Sequence, residues 1–307
     1  MDNLEKIEDL QSVLRKNPSD VQKRRELAVI LSDSGFNKEA LENFLYLSKL
    51  IPDDSEIYNN IGILYEKLKD NENAEFNYKK ALAISPEDTD TRYNLGLVQI
   101  NLKKYASAVE NFEKVLETED NDANVYFNIG LAHFRSENYE EAFKSFQKTV
   151  KIDDTDFYAH FYLGNIYITF KDYQNAKSEF KKVLVITPDY SWAYYNLAHI
   201  YELEGDFTEC FNMLEKTLEY NPKDIETYKI YTRLLLAVGE FEKVREILTD
   251  AIEKIGHNGD LYYILAVAYK NLNDREGYTD NLEKSIKHFK TLTYPVQAVN
   301  AELKKLI

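Results

Sequence analysis

Pro18, Pro52 and Pro86 stand 34 residues apart, and the same step continues to Asp120, Asp154, Pro188, Pro222 and Gly256. Five of the six prolines share this register. A fixed period of this size means one supersecondary unit copied along the chain, each copy burying its apolar face against its neighbours. No single compact core is needed, and chain length sets the number of units rather than of domains.

Other series keep the frame. Gly62, Gly96, Gly130 and Gly164 recur at the same step, with Ala28, Ala198 and Ala266 in the equivalent place. Ala40, Ala74, Ala108, Ala142 and Ala176 form a second small series, which Cys210 continues. Phe44, Tyr78, Phe112, Phe146 and Phe180 form an aromatic series. Within each unit apolar residues follow the i, i+3, i+4, i+7 spacing of a helix face, twice over, so each unit reads as two helices. The glycine or alanine of the first helix is expected to let the second approach, meeting its small residue. Proline sits where the second helix must stop. The residues after it (Asp53-Asp54-Ser55, Asp88-Thr89, Asp122, Asp154-Thr155, Asp224) suit the cap of the next helix.

In Tyr58 to Pro86 the pattern is Tyr58, Ile61-Gly62, Tyr65, Ala74, Tyr78, Ala81 and Pro86. It resembles the tetratricopeptide repeat. Eight units start at Val21, Ser55, Thr89, Ala123, Phe157, Ser191, Ile225 and Gly259, about nine tenths of the chain. Departures fall late: Tyr231-Thr232 replaces Leu-Gly in the seventh unit, and Tyr278 takes a small-residue place in the eighth. The resemblance implies an all-α fold, a right-handed α-solenoid of antiparallel helix pairs. The organisation expected is a capping helix in 1–20, eight repeats in 21–292 and a capping helix in 293–307 (Val296, Val299, Leu303, Leu306). A start at Met1 with covers at both ends reads as a whole protein.

The formal net charge of -15 argues against nucleic acid and against anionic membrane surfaces, where binding relies on Lys and Arg. No apolar run is long enough to span a bilayer, and the acidic N-terminus lacks a signal-peptide pattern. The cytoplasm is the default location. Cys210 is the only cysteine and reads as an inert core thiol. The five histidines are never three or four apart, so no helical metal pair arises. With no phosphate loop and no nucleophile motif, no catalytic residue, metal or cofactor is expected.

In the family the second, fifth, sixth and ninth residues of each first helix point inward. Carried over by position, they give two features. One is a line of asparagines: Asn60, Asn94, Asn128 and Asn196, with Asn165 one turn along. An amide offers donor and acceptor and can hold a peptide backbone without reading its side chains. The other is an aromatic zone: Tyr93, Phe127, Tyr158, Phe161, Tyr162, Trp192 and Tyr195. His199 is read as groove-lining, and Lys229 with Arg233 as a basic pair. A chaperone-tail site of the family's lysine, arginine and asparagine kind is not expected, because the third unit lacks the cations. The function implied is a non-enzymatic scaffold or adaptor holding an extended peptide or helix of a protein partner, basic or aromatic and apolar. Two alternatives stand beside it. One is a homo-oligomeric scaffold. The other is a substrate-recruiting subunit of a separate enzyme or of a secretion or assembly system. Acidic turns, among them Glu87-Asp88 and Glu119-Asp120, would steer basic partners.

Overall fold

A computed structural model describes residues 3–118 and 120–306, so the Met1, Asp2, Glu119 and Ile307 of the expected caps and acidic turns lie outside the described residues. Among the described residues there are eighteen α-helices, one short 3-10 turn and no strand. Within each compact unit neighbouring helices pack on each other, and the fold is an all-α solenoid of helix pairs. The chain forms two compact units, residues 1–159 and 160–307.

The first unit opens with α1 (Asn3–Lys16). Four pairs follow: α2 (Val21–Asp33) with α3 (Asn37–Leu50), α4 (Ser55–Lys67) with α5 (Asn71–Ile84), α6 (Thr89–Asn101) with α7 (Tyr105–Leu116), and α8 (Ala123–Arg135) with α9 (Tyr139–Ile152). Ile7, Leu10 and Leu14 of α1 join the core made by Leu27, Leu31, Phe44, Leu47, Ile57 and Ile61. The division between units falls within α10 (Phe157–Thr169).

The second unit continues with α11 (Tyr173–Ile186), α12 (Ser191–Glu204), α13 (Phe207–Tyr220), α14 (Ile225–Val238), α15 (Phe241–Ile255), α16 (Gly259–Asn271) and α17 (Arg275–Lys287). The 3-10 turn (Phe289–Thr291) leads to α18 (Val296–Leu303). Val299, Leu303 and Leu306 pack with Ala266, Tyr278 and Leu282. Tyr278, out of place by repeat pattern, donates its hydroxyl to Glu302 at 2.9 Å, so its size serves the contact with α18.

A Cβ on Gly62, Gly96, Gly130 or Gly164 would lie 2.5–2.8 Å from the ring of Tyr78, Phe112, Phe146 or Phe180. The nearest neighbour of the glycine seat is the aromatic sixteen residues on. The sequence matches volumes accordingly: Ala198, Thr232 and Ala266 are followed at the same distance by Leu214, Leu248 and Leu282. A larger seat takes a smaller plug, and only Ala28 with Phe44 pairs a methyl with a ring.

Caps keep the period. Asp54, Asp88, Asp122 and Asp224 accept from backbone N–H groups of the helices they precede. In the fifth repeat the cap is Asp156, which accepts from Ala159 N at 2.9 Å. Of the expected Asp154-Thr155 pair, Thr155 bonds Asp153 instead. Tyr190 precedes α12 with no side-chain cap. The turn inside each pair has a signature of its own: Gly35, Lys69, Lys103, Glu137, Lys171, Gly205, Gly239 and Asn273 all have positive φ. After each, the next N–H reaches back five residues, as from Lys104 N to Gln99 O at 2.8 Å. This closes the helix end in a Schellman-type turn.

Polar ties join neighbouring repeats in the first unit. Glu75 is buried and accepts from Lys104 (2.5 Å), Lys79 (2.7 Å) and Gln99 (3.3 Å). Burial alone raises its pKa, but these donors overcome that and hold the carboxyl at about 2.

Two predictions follow from this packing. Gly130→Ala gains about 1 kcal/mol of helix propensity but loses about 1–3 kcal/mol to overpacking against Phe146. Combined with Phe146→Leu, part of the loss returns, a coupling of about 0.5–3 kcal/mol in a double-mutant cycle read by calorimetry. Strict additivity would refute the seat-and-plug contact. For Glu75 the folded value lies below the ordinary one. Its stabilisation is therefore full above about pH 5 and is lost as pH falls toward 2, on the order of 2–3 kcal/mol. Glu75→Gln should remove that portion of the acid sensitivity, and an unchanged pH–stability curve would refute it.

Candidate functional site

The inward positions lie on the first helices, and contacts between successive first helices show which side chains share that face. Arg25 of α2 reaches Glu56 of α4 at 2.6 Å, and Lys229 of α14 reaches Asp260 of α16 at 3.2 Å. Asn128 of α8 donates to the Tyr93 hydroxyl of α6 at 2.9 Å. Arg233 of α14 pairs with Glu202 of α12 at 2.7 Å. In two of these contacts the fifth residue of one first helix meets the second residue of the next.

The asparagines are less free than an isolated amide. Asn60, Asn128, Asn165 and Asn196 each donate to the carbonyl four residues back: Glu56, Asn124, Phe161 and Trp192. One N–H of each amide belongs to its own helix. Asn60, Asn165 and Asn196 are half-buried, and among the described residues no further side-chain bond is made by their second N–H or carbonyl oxygen; Asn94 is half-buried too. Asn128 is 8 % exposed, with both N–H groups engaged. It is a strut between α6 and α8 rather than a contact.

The aromatic zone divides between the two units. Tyr93 and Phe127 stand edge-on to Phe112 and Phe146, so each braces its own helix pair. Phe161 does the same with Phe180, and half-buried Tyr162 lies edge-on to Phe161. Tyr158 in the first unit and Trp192 in the second are the exposed members, at 49 % and 52 %. Trp192 meets half-buried Tyr195 at 5.7 Å and 74°. Burial, then the charges of Asp224, Glu226 and Glu202, push the Tyr195 phenol above its ordinary pKa. His199 is exposed on the same helix.

Lys229 and Arg233 border a cavity of about 640 Å³ between α14 and α16. Ile230, Leu236, Ala237, Phe241, Ile264 and Val267 line it, with Asn271 and Tyr294 at its edge. Lys229 is not a loose cation. Burial disfavours its charge, but bonds to Glu226 and Asp260 prevail and raise its pKa. Asp260 is itself buried and accepts from the Thr293 N–H at 2.6 Å. The eighth repeat's share of this cavity and Tyr294 were missed in the sequence. Extending the inward register to α16 finds Ile264 and Val267, but nothing local marks Tyr294.

Cys210 is buried, which pushes its thiol up to about 11 and leaves little thiolate. No group of three or more potential metal ligands exists among the described residues. Among the described residues no helix is long and apolar enough to cross a membrane.

The strut role of Asn128 predicts a split between two asparagines. Asn128→Ala should cost about 1–2 kcal/mol, leaving Tyr93 without its donor, and Asn196→Ala less than about 0.5 kcal/mol. Calorimetric melting reads both, and equal losses would contradict the assignment.

Comparison with known proteins adds independent findings. Tetratricopeptide repeat family models match residues 55–88 and 167–234. A model described as anaphase-promoting complex, cyclosome, subunit 3 matches 101–183. No curated protein matches the chain. Among solved structures, MamA from Desulfovibrio magneticus is similar at 25% identity and TM-score 0.54, covering 56% of this chain and 97% of its own. YrrB, a tetratricopeptide repeat protein with an unusual peptide-binding site, is similar at 23% identity and TM-score 0.51, covering 60% and 95%. A tetratricopeptide repeat protein from Parabacteroides merdae covers 82% of this chain and 98% of its own at 16% identity and TM-score 0.57.

Proposed function

The chain belongs to the tetratricopeptide repeat family, and on that premise we propose that it is a non-enzymatic scaffold whose first-helix face holds an extended peptide or a helix of a protein partner. The proposed organisation is eight repeats over 21–292 between terminal covering helices. The observation that carries the reading is the side-chain chemistry of α10, α12 and α14 in the second unit. Residues turned toward neighbouring helices, such as Ala193, Leu197 and Ile200, are fully buried. Those at the inward positions, Asn165, Trp192, Tyr195, Asn196 and His199, keep exposed area. Amide groups with a spare donor and acceptor can pair with a peptide backbone. Aromatic surface beside them can cover side chains at little entropic cost.

The peptide-binding site in the description of YrrB is in keeping with this reading, and belongs to that protein.

Asn165→Ala with Asn196→Ala is the direct test. Both amides are partly exposed and neither bridges helices, so the melting temperature should hardly move. Affinity for a captured protein partner should fall by about tenfold or more, as loss of two backbone-directed hydrogen bonds requires. Undiminished binding, measured by calorimetric titration, would count against this face as the groove.

A further inference from the structure

The eight repeats handle their cations in a way that isolates one aromatic. Elsewhere the chain lays its own cations over its rings: Arg24 over Tyr46 at 4.0 Å, Lys148 over Tyr126 at 4.6 Å, Lys177 over Tyr201 at 5.1 Å. Trp192, the only tryptophan and the strongest kind of π acceptor, is half exposed, and no cation among the described residues lies over it. Tyr195 stands at 74° to it and so occupies one face of the pair at most.

The repeat register supplies the second observation. Where a first helix carries a cation at its fifth position, that cation pairs with the carboxylate at the second position of the next: Arg25 with Glu56 and Lys229 with Asp260. The same step from α12 to α14 sets Tyr195 beside Glu226. Here the carboxylate is present and the fifth-position cation is replaced by a ring. Glu226 is exposed and pairs only within its own helix, with Lys229 at 3.0 Å. Asp224 and Glu202 add negative charge close by, in a chain whose net charge is -15.

We propose that the Trp192–Tyr195 corner and Glu226 receive an arginine or lysine side chain of a basic segment in the protein partner. The indole covers the flat or aliphatic part of that side chain, and the carboxylate takes the place in its pairing that Asp260 takes for Lys229. This rests on the groove reading above and names the partner's chemistry: a basic segment, threaded across α12 and α14.

A single tryptophan makes the site its own reporter. The full-length protein is titrated with an acetylated, amidated peptide of alternating alanine and arginine, and with its citrulline counterpart, which keeps shape and loses charge. The arginine peptide is expected to change Trp192 emission saturably, with the citrulline peptide about tenfold weaker or more, in line with a desolvated cation–π contact plus an ion pair. By anisotropy of labelled peptide, Trp192→Ala should weaken binding about tenfold. Glu226→Gln should weaken it about threefold, and Glu42→Gln, an exposed carboxylate on α3 of the first unit, should leave it unchanged. Equal binding of the citrulline peptide, wild-type affinity in Trp192→Ala, or an equal loss in Glu42→Gln would overturn the proposal. If the Asn165, Asn196 pair still weakens a captured partner while Trp192→Ala does not, the groove stands and this assignment alone falls.

Discussion

The seat that each first helix offers to the side chain sixteen residues on sets how closely a pair can pack. A glycine opposite a ring brings two backbones together around a buried aromatic, as Gly130 does with Phe146. An alanine opposite a leucine moves part of the volume from one helix to the other. Interiors are close-packed, so the sum is constrained where the shares are not. The chain changes from ring plugs to leucine plugs at Leu214 without losing the 34-residue period. With pair spacing fixed in this way, the inward positions of successive first helices fall in register. Contacts such as Arg25 with Glu56 and Lys229 with Asp260 then repeat at the same positions in different repeats.

Much of this was legible in the sequence because it is periodic. The helix pairs and the aspartates before first helices depend on residues that recur, and recurrence separates signal from chance. The rest escaped for particular reasons. The positive-φ turn recurs eight times, but only Gly35, Gly205 and Gly239 mark it, since Lys69, Lys103, Glu137 and Lys171 adopt the same backbone. There the five-residue return bond and tertiary packing override the local preference. The glycine was recognised as a point of close approach, but the ring nearest to it was not named, because spacing along a helix does not say which side chain of the next helix lies opposite. Asp154-Thr155 looked like a cap, and the true cap, Asp156, follows in the same acidic run.

The site was legible only in outline. Register alone placed Asn128 and Asn196 in one class, yet one is a buried strut and the other a half-exposed amide. What separates them is the fifth-position residue of the preceding first helix. Tyr93 presents a hydroxyl to Asn128, whereas Phe161 has none to offer Asn196. The same comparison divides the aromatics. Tyr93, Phe127 and Phe161 lean on second-helix rings, and rings of that kind end at Phe180. Beyond it Tyr195 has Leu214 as its counterpart.

That change of plug bears on function as well as packing. In the third, fourth and fifth repeats the fifth-position aromatic has the buried plug ring as its edge-to-face partner, so part of its surface is committed to the fold. In the sixth repeat the plug is aliphatic, and the ring that Tyr195 meets is Trp192 of its own helix. The repeat at which the core stops using rings is thus one where aromatic surface is paired at the face itself, and the following first helix, α14, carries a carboxylate at its second position. A substitution inside the helix pair, Phe to Leu at the plug, removes the ring on which a neighbouring aromatic leans. A repeat array can in this way acquire a binding surface at one unit while the spacing of the others stays as it was.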